Sequence, residues 1–383
     1  MTEPQSILER ANEIYRRFID DKIQEPTVEV NWMGKEKKPR ILVLYTGGTL
    51  GMKREVNPES GEEEIVPKLS LEELLTKCDS ICNIKSRYNI LGYKISHIDS
   101  TEINVNVWKN LAHLINKHYE EFDGVVVLHG TDTMAYSAAA TAFTIRNPYI
   151  PIIFTGAQMI LEADGTDVIT NLTGALAVAK SKLSEVAVLF NGEIYKGTRA
   201  DKKHDSWLDG FDSPIYKNIG HLGGHGVELD PRAILRGTYM PSDLIYNPEF
   251  ATSVLEIVLA PGLSPGVVEA AISESECKAL VIRSYGPGNI PRWYYPLIED
   301  KVQAGFPIFI SSQCAGSGIS LGGSEYAVGK GAKKAGAVPI GDMSPTATSV
   351  KLMNVMARVS SLDDIRHEMV GKSYASEITL WNR

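Results

Sequence analysis

Two threonine-bearing segments of this sequence carry residue types from which hydroxyl chemistry can be built. YTGGTLGM (45–52) follows the apolar run ILVLY (41–45), and HGTDTM (129–134) follows GVVVL (124–128). In an open α/β sheet the ligand crevice lies beyond the carboxyl ends of the strands, so polar residues directly after a buried strand carry more weight than polar residues elsewhere. Gly47 and Gly48 permit a tight turn that leaves the hydroxyls of Thr46 and Thr49 at the sheet edge. HGTDTM gathers Thr131, Asp132 and Thr133 around one turn. Each segment alone also has a plainer reading: TGGT as a structural loop, and Asp132 as the cap of the helix that follows. A threonine hydroxyl is only weakly acidic, so nucleophilic chemistry there needs a base beside it.

The elements that must position these residues follow from the hydrophobic pattern. Short apolar runs at 41–45, 124–128, PIIF (151–154) and EVAVLF (185–190) alternate with helix-like stretches from about Ala135 and near 168–182. That rhythm predicts a mainly parallel sheet with helices on both faces. It resumes at VLEIVLA (254–260), KALVIR (278–283) and FPIFIS (306–311), which predicts a second, smaller α/β domain. A chain of 383 residues exceeds what a single core usually supports, in keeping with two domains. The stretch from about 214 to 250 has weak periodicity and holds Gly223, Gly224, Pro231, Gly237, Pro241 and Pro248, so it reads as a linker. The domains are then 40–235 and 253–383, joined through 236–252. Residues 6–23 have amphipathic helix spacing with a Ser6/Glu9 capping box. Polar GKEKKPR (34–40) separates that helix from the first strand, so 1–39 reads as an N-terminal helical extension.

A net charge of -8 disfavours nucleic acid as a partner, because a phosphate backbone wants clustered Lys and Arg. A small-molecule substrate fits better. Cys78, Cys82, Cys277 and Cys314 include no CxxC pair and are too sparse to staple the chain, which favours a reducing compartment. The N-terminus shows no basic patch followed by an apolar run, and no stretch approaches the roughly 18 apolar residues of a membrane span. The expected location is therefore the cytoplasm, with no membrane partner. His221 and His225 are four apart, but Gly223 and Gly224 between them oppose the helix that a metal pair at this spacing needs. Neither a metal nor a cofactor is expected.

Strand-TGGT and strand-HGTDT, about 80 residues apart, with IIFTGAQ (152–158) as a third block, resemble the L-asparaginase family from about residue 41 to the C-terminus. The resemblance implies a two-domain asparaginase-like α/β fold: a larger N-terminal parallel-sheet domain and a smaller C-terminal α/β domain. It implies a cytoplasmic, type I-like amidohydrolase that releases ammonia from asparagine, with glutamine as a further substrate. By the same match Thr49 is the nucleophile that forms an acyl-enzyme, and Thr131, Asp132 and Lys202 form a triad. Lys202 stands in RADKKHDSW (199–207), as the lysine of an R-x-x-K pattern with F-x-S-P downstream at Phe211 to Pro214. Desolvation lowers a lysine pKa, so a buried neutral Lys202 can accept a proton through Thr131. By composition alone Lys202 is a solvated loop charge, with Lys203 its look-alike.

Substrate binding maps by resemblance to Gly48, Asp99, Ser100 and Ala157, with Asp132 in a second role as counter-charge to the substrate ammonium. Ser100 can equally start the next helix as its N-cap. Asn289, in RSYGPGNIP (283–291), matches a residue that reaches an active site from the other subunit, and homotetramers built from close dimers are implied. Two departures stand out. The loop EVNPESGEEEIVP (55–67) lacks the tyrosine that many family members carry there, and Tyr326 in GGSEYAVGKG (322–331) is the candidate replacement. Thr346 stands where relatives commonly place a glutamate that helps neutralise the substrate ammonium across the subunit interface. Glu62, Glu63 and Glu64 read as a solvated loop, and Cys314 as a buried small residue. Two further readings stay open: the ammonia-producing subunit of a glutamyl-tRNA amidotransferase, and a catalytically weak amino-acid-binding protein.

Overall fold

The computed structural model describes residues 26–30, 38–58, 60–235, 240–316, 318–319 and 327–380. The helix expected over 6–23 and the candidate Tyr326 lie outside the described residues. Along the chain come β1 (Val28–Val30), β2 (Arg40–Gly47), the hairpin β3 (Met52–Val56) and β4 (Glu63–Pro67), β5 (Asn89–Ile98) and β6 (Gly124–Leu128). Next are β7 (Ile145–Arg146), β8 (Ile152–Thr155), β9 (Val186–Phe190), β10 (Glu193–Lys196), the short pair β11 (Asp201–Lys202) and β12 (Phe211–Asp212), and the hairpin β13 (Gly220–Gly223) and β14 (Gly226–Leu229).

Among the described residues these build a nine-stranded sheet in the order β1-β5-β2-β6-β8-β9-β10-β13-β14, parallel from β5 to β9. Of the parallel strands, β2, β6, β8 and β9 read as nearly unbroken apolar runs because both of their faces are covered. Val43, Tyr45, Val126 and Leu128 point to one face, under the helices Leu71–Cys82 and Val168–Ala179. Leu42, Leu44, Val125 and Val127 point to the other, under the helices Val105–His118 and Met134–Thr144. The first helix of the pattern starts where Ser70 and Glu73 form a reciprocal capping box, and it buries Leu71, Leu74, Leu75 and Cys78 at helical spacing.

Two expectations change here. Residues 220–229 are not linker: β13 and β14 extend the large sheet antiparallel to β10. Their strands are only half-buried, and the turn is closed by Gly226 at φ 105°, so glycines that look like linker punctuation are turn residues of a hairpin. The sheet also begins before residue 40, since β1 pairs antiparallel with β5, burying Val28 and Val30 and exposing Glu29.

The C-terminal half adds β15 (Ile245–Tyr246), which pairs with β7, and then a second sheet of β16 (Val254–Val258), β17 (Ala279–Ser284), β18 (Ile308–Ser312) and β19 (Val338–Pro339). This sheet is parallel throughout, and its crossovers carry the helices Pro265–Ser273, Tyr295–Gln303 and Ala327–Lys334. The helix Met134–Thr144 is buried except at Tyr136, and its run of alanines lets it pack on one side against the large sheet and on the other against the helix Pro345–Met356. Trp108, Phe143, Phe250, Val281, Phe309 and Val350 fill the seam between the two halves.

Candidate active site

The carboxyl ends of β2, β5, β6 and β8 converge, and glycines make the convergence close. Beyond a bulge after Tyr45, Gly47 and Gly48 adopt φ of 110° and 88°, where a side chain is strained. A Cβ on Gly48 would lie 2.4 Å from the Gly130 Cα, and one on Gly130 would lie 2.7 Å from the Ser100 Oγ. The TGGT and HGTDT turns therefore touch backbone to backbone, and the Ser100 side chain, after β5, packs on Gly130. Cross-strand side-chain bonds reinforce the register: Thr46 Oγ1 donates to the Leu128 carbonyl at 3.2 Å, and Ser96 Oγ to the Thr46 carbonyl at 2.9 Å. Gly48 ends at a short helical turn, Thr49–Gly51, so Thr49 stands half-buried at the mouth of this junction. Ala157, after β8, is fully buried.

Lys202 reaches this junction from β11. Its Nζ donates to Thr131 Oγ1 at 2.8 Å and to Asp132 Oδ1 at 2.6 Å. The lysine side chain is 17% exposed and that of Asp132 is 53% exposed, so the carboxylate meets the lysine on one side and solvent on the other. Asp132 does not cap the following helix: Thr133 holds the cap position, and its hydroxyl donates to the Ser100 carbonyl at 2.7 Å. Lys203, just past the end of β11, turns away to pair with Asp209 at 2.9 Å. His129 is wholly buried, and its Nδ1 donates to the Gly130 carbonyl at 2.7 Å. Burial pushes its imidazole pKa down to about 4, so it is neutral at pH 7.

Other residues singled out in the sequence fall in different places. Asp99, rather than Ser100, is the N-cap of the short turn that follows, its Oδ1 accepting from the Thr101 amide at 2.9 Å; Ser100 is buried against Gly130. Asn289 stands on the other sheet, in the tight turn after β17, where its backbone amide donates to the Tyr285 carbonyl at 2.8 Å. Thr346, on the helix Pro345–Met356, donates to Asp201 Oδ1 at 2.6 Å. A carboxylate thus stands beside Thr346 after all, supplied by the residue before Lys202, and burial pushes its pKa up to about 6. Cys314 is exposed rather than buried, because the chain after β18 turns outward. His221 lies on β13 facing Glu228, not on a helix, and no cluster of metal ligands occurs among the described residues. Sequence reasoning missed Gln158 and Asp167. Gln158 closes the quoted IIFTGAQ block at a strand end, so the rule that selected Thr49 and Thr131 could have found it.

Comparison with known proteins accords with this geometry. Residues 40–235 match the family "Asparaginase, N-terminal" and residues 253–369 the "Glutaminase/Asparaginase C-terminal domain". The L-asparaginase of Thermococcus kodakarensis is 32% identical over 347 residues, covering 89% of this chain and 99% of the relative. Its solved structure superposes with a TM-score of 0.78, covering 89% of this chain and 100% of that one. L-asparaginase 1 of Escherichia coli K12 is 32% identical over 343 residues, covering 87% and 96%. A glutamyl-tRNA(Gln) amidotransferase subunit of Pyrococcus abyssi is 30% identical over 361 residues, covering 91% and 79%. The chain belongs to the asparaginase family, matching its N-terminal and C-terminal domains in order.

Proposed function

We propose that this protein is an L-asparaginase, an amidohydrolase that converts asparagine to aspartate and ammonia, with glutamine as a weaker substrate. The observation that carries this reading is the Lys202 amine 2.8 Å from the Thr131 hydroxyl and 2.6 Å from Asp132, on a loop whose backbone touches the TGGT turn. Thr49 Oγ attacks the side-chain amide carbon, and its proton passes through the Thr131 hydroxyl to Lys202. The C–N bond breaks as the nitrogen takes up a proton and leaves as ammonia, which forms an ester between substrate and Thr49. Water, deprotonated by the same Thr131–Lys202 relay, then cleaves the ester and frees aspartate. Asp132, open to solvent on the side away from Lys202, offers its second oxygen to the substrate ammonium. Asp99 and Ser100 form the substrate-clamping segment, in which the Ser100 hydroxyl can donate to the α-carboxylate. Asn289 is assigned to substrate binding from the other subunit and Tyr326 to catalysis, in a homotetramer of close dimers in the cytoplasm. No helix among the described residues is long and apolar enough to cross a membrane.

Ammonia release from asparagine and glutamine by the purified chain tests the reading. Thr49→Ala and Thr131→Ala are each expected to lower kcat by at least ~10³-fold with unchanged thermal unfolding. Substantial turnover in either variant ends the assignment. A second reading is favoured by the amidotransferase relatives, of which the Pyrococcus abyssi protein is covered by this chain to 79% of its length. In that case glutaminase activity appears only when a tRNA-binding partner is added.

A further inference from the structure

We infer that Gln158 is a positioning residue of this site: it sets where the Thr131 hydroxyl proton points and pins the loop that follows Lys202. The inference rests on the roles proposed above for Thr131 and Lys202. Gln158 follows β8 at the same sheet edge as the two threonine turns. Its backbone is fixed first. The amide of Gln158 donates to both oxygens of Asp167 at 3.2 and 2.9 Å, the amide of Met159 to one of them at 3.0 Å, and Asn171 Nδ2 to the other at 3.0 Å. Asp167 is buried, so this anchor is rigid.

The side chain then bridges two elements. Its Nε2 donates to the carbonyls of His204 at 3.1 Å and Trp207 at 3.0 Å, while its Oε1 accepts from Thr131 Oγ1 at 3.3 Å. The amide cannot be reversed, because Oε1 would then face two carbonyl acceptors. Both carbonyls belong to the loop that leaves Lys202 and returns at Gly210, closed at its base by the Lys203 and His204 amides on the Gly210 carbonyl at 2.8 and 3.3 Å. Gly210 leaves room for the bridge: a Cβ there would lie 2.7 Å from Gln158 Nε2.

The consequence is a choice for one proton. Thr131 Oγ1 accepts from Lys202 and gives its own hydrogen to Gln158, an arrangement that suits the ammonium form of Lys202. For the relay to act, the hydroxyl must swing its hydrogen from Gln158 to Lys202. Gln158 therefore opposes the amine form that works as the base, and in exchange holds the lysine's loop in place.

The test uses the full chain. With Gln158→Leu the acceptor is gone, and the rising limb of kcat/KM against pH is expected to move down by about half a pH unit or more. With Gln158→Glu a carboxylate faces Thr131 and Lys202, and the limb is expected to move up. Simple loosening of the fold does not produce opposite displacements. Hydrogen exchange of the Lys203 and His204 amides is read alongside and should accelerate at least about tenfold in the Leu variant. Gly210→Ala, which displaces Nε2 while keeping Gln158, should accelerate the same amides and covers the case in which the Leu variant does not fold. Coincident pH limbs, or wild-type exchange rates in the Leu and Gly210→Ala proteins, overturn the inference. If the wild-type chain releases no ammonia from either amide, the asparaginase reading falls by itself, and the exchange rates still decide whether Gln158 pins the loop.

Discussion

At the residue scale the site depends on where side chains are missing as much as on where they stand. Gly48 holds φ at 88° with the Gly130 backbone where a Cβ would go, so the two threonine turns can approach only if that position carries hydrogen. Gly48→Ala should push the HGTDT turn outward by a good fraction of an ångström. Displacement on that scale costs on the order of 100-fold in turnover, while the left-handed strain costs about 1–3 kcal/mol of stability. Ammonia release and urea unfolding measured on the same preparation check both, and wild-type turnover with wild-type stability would refute the close-contact account. His129 is a neutral, buried imidazole that holds the Gly130 carbonyl, and its Nε2 meets no partner among the described residues.

At the scale of elements, β11 is only two residues long yet faces two ways. Lys202 turns toward Thr131 and Asp132, while Asp201 turns toward Thr346 on the helix Pro345–Met356. One strand thus fastens the lysine to the C-terminal half. The fastening has a pH signature. Burial raises the Asp201 pKa from the ordinary 3.8 to about 6, so the folded protein binds this proton more tightly than the unfolded chain does. Its contribution to stability is complete below about 3.8 and is lost as pH rises through about 6. Asp201→Asn removes that titration. The variant should gain on the order of 2 kcal/mol relative to wild type between pH 4 and pH 7. Denaturant melts of both proteins at the two pH values read the difference directly, and parallel pH profiles would show that Asp201 is not the group responsible.

For the whole molecule, the tail Lys372–Thr379 adds a polar tie between the two halves to the apolar seam. Glu377 is completely buried and meets Lys351, also completely buried, at 2.6 Å; the lysine further donates to the carbonyls of Met369 and Lys372 at 2.8 and 2.7 Å. From the N-terminal half, Thr198 Oγ1 and Arg199 Nε donate to the carbonyls of Ala375 and Ser376 at 3.0 and 2.7 Å, and Arg146 stacks 3.4 Å over the Tyr374 ring. Removing one member of such a pair leaves an uncompensated charge in a dry interior. Lys351→Met is therefore expected to destabilise the protein by about 3–5 kcal/mol. A midpoint in guanidinium within error of wild type would rule this out.

The sequence by itself determined the rhythm of the fold and singled out the strand-end segments from which the candidate site is built. Apolar runs mark covered strands, so β2, β6, β8, β9, β16, β17 and β18 lie where the pattern put them, whereas β5, broken by Gly92, Lys94 and Ser96, and the two-residue β19 carry no such run and were not anticipated. Strand-end chemistry was legible for the same reason, since Thr49 and Thr131 each follow such a run. The hairpin β13–β14 was not, because half-exposed strands rich in glycine leave no periodic signal. Tertiary structure alone decided which groups meet. That Lys202 and not Lys203 faces Thr131 depends on how the chain leaves the two-residue strand β11, and that Gln158 accepts the Thr131 hydrogen bond depends on a loop 46 residues further on returning to the same edge. Nor could the substitution at Thr346 be understood before Asp201 was seen against it. Contacts between residues so far apart are fixed by the packing of whole elements, and no local pattern records them.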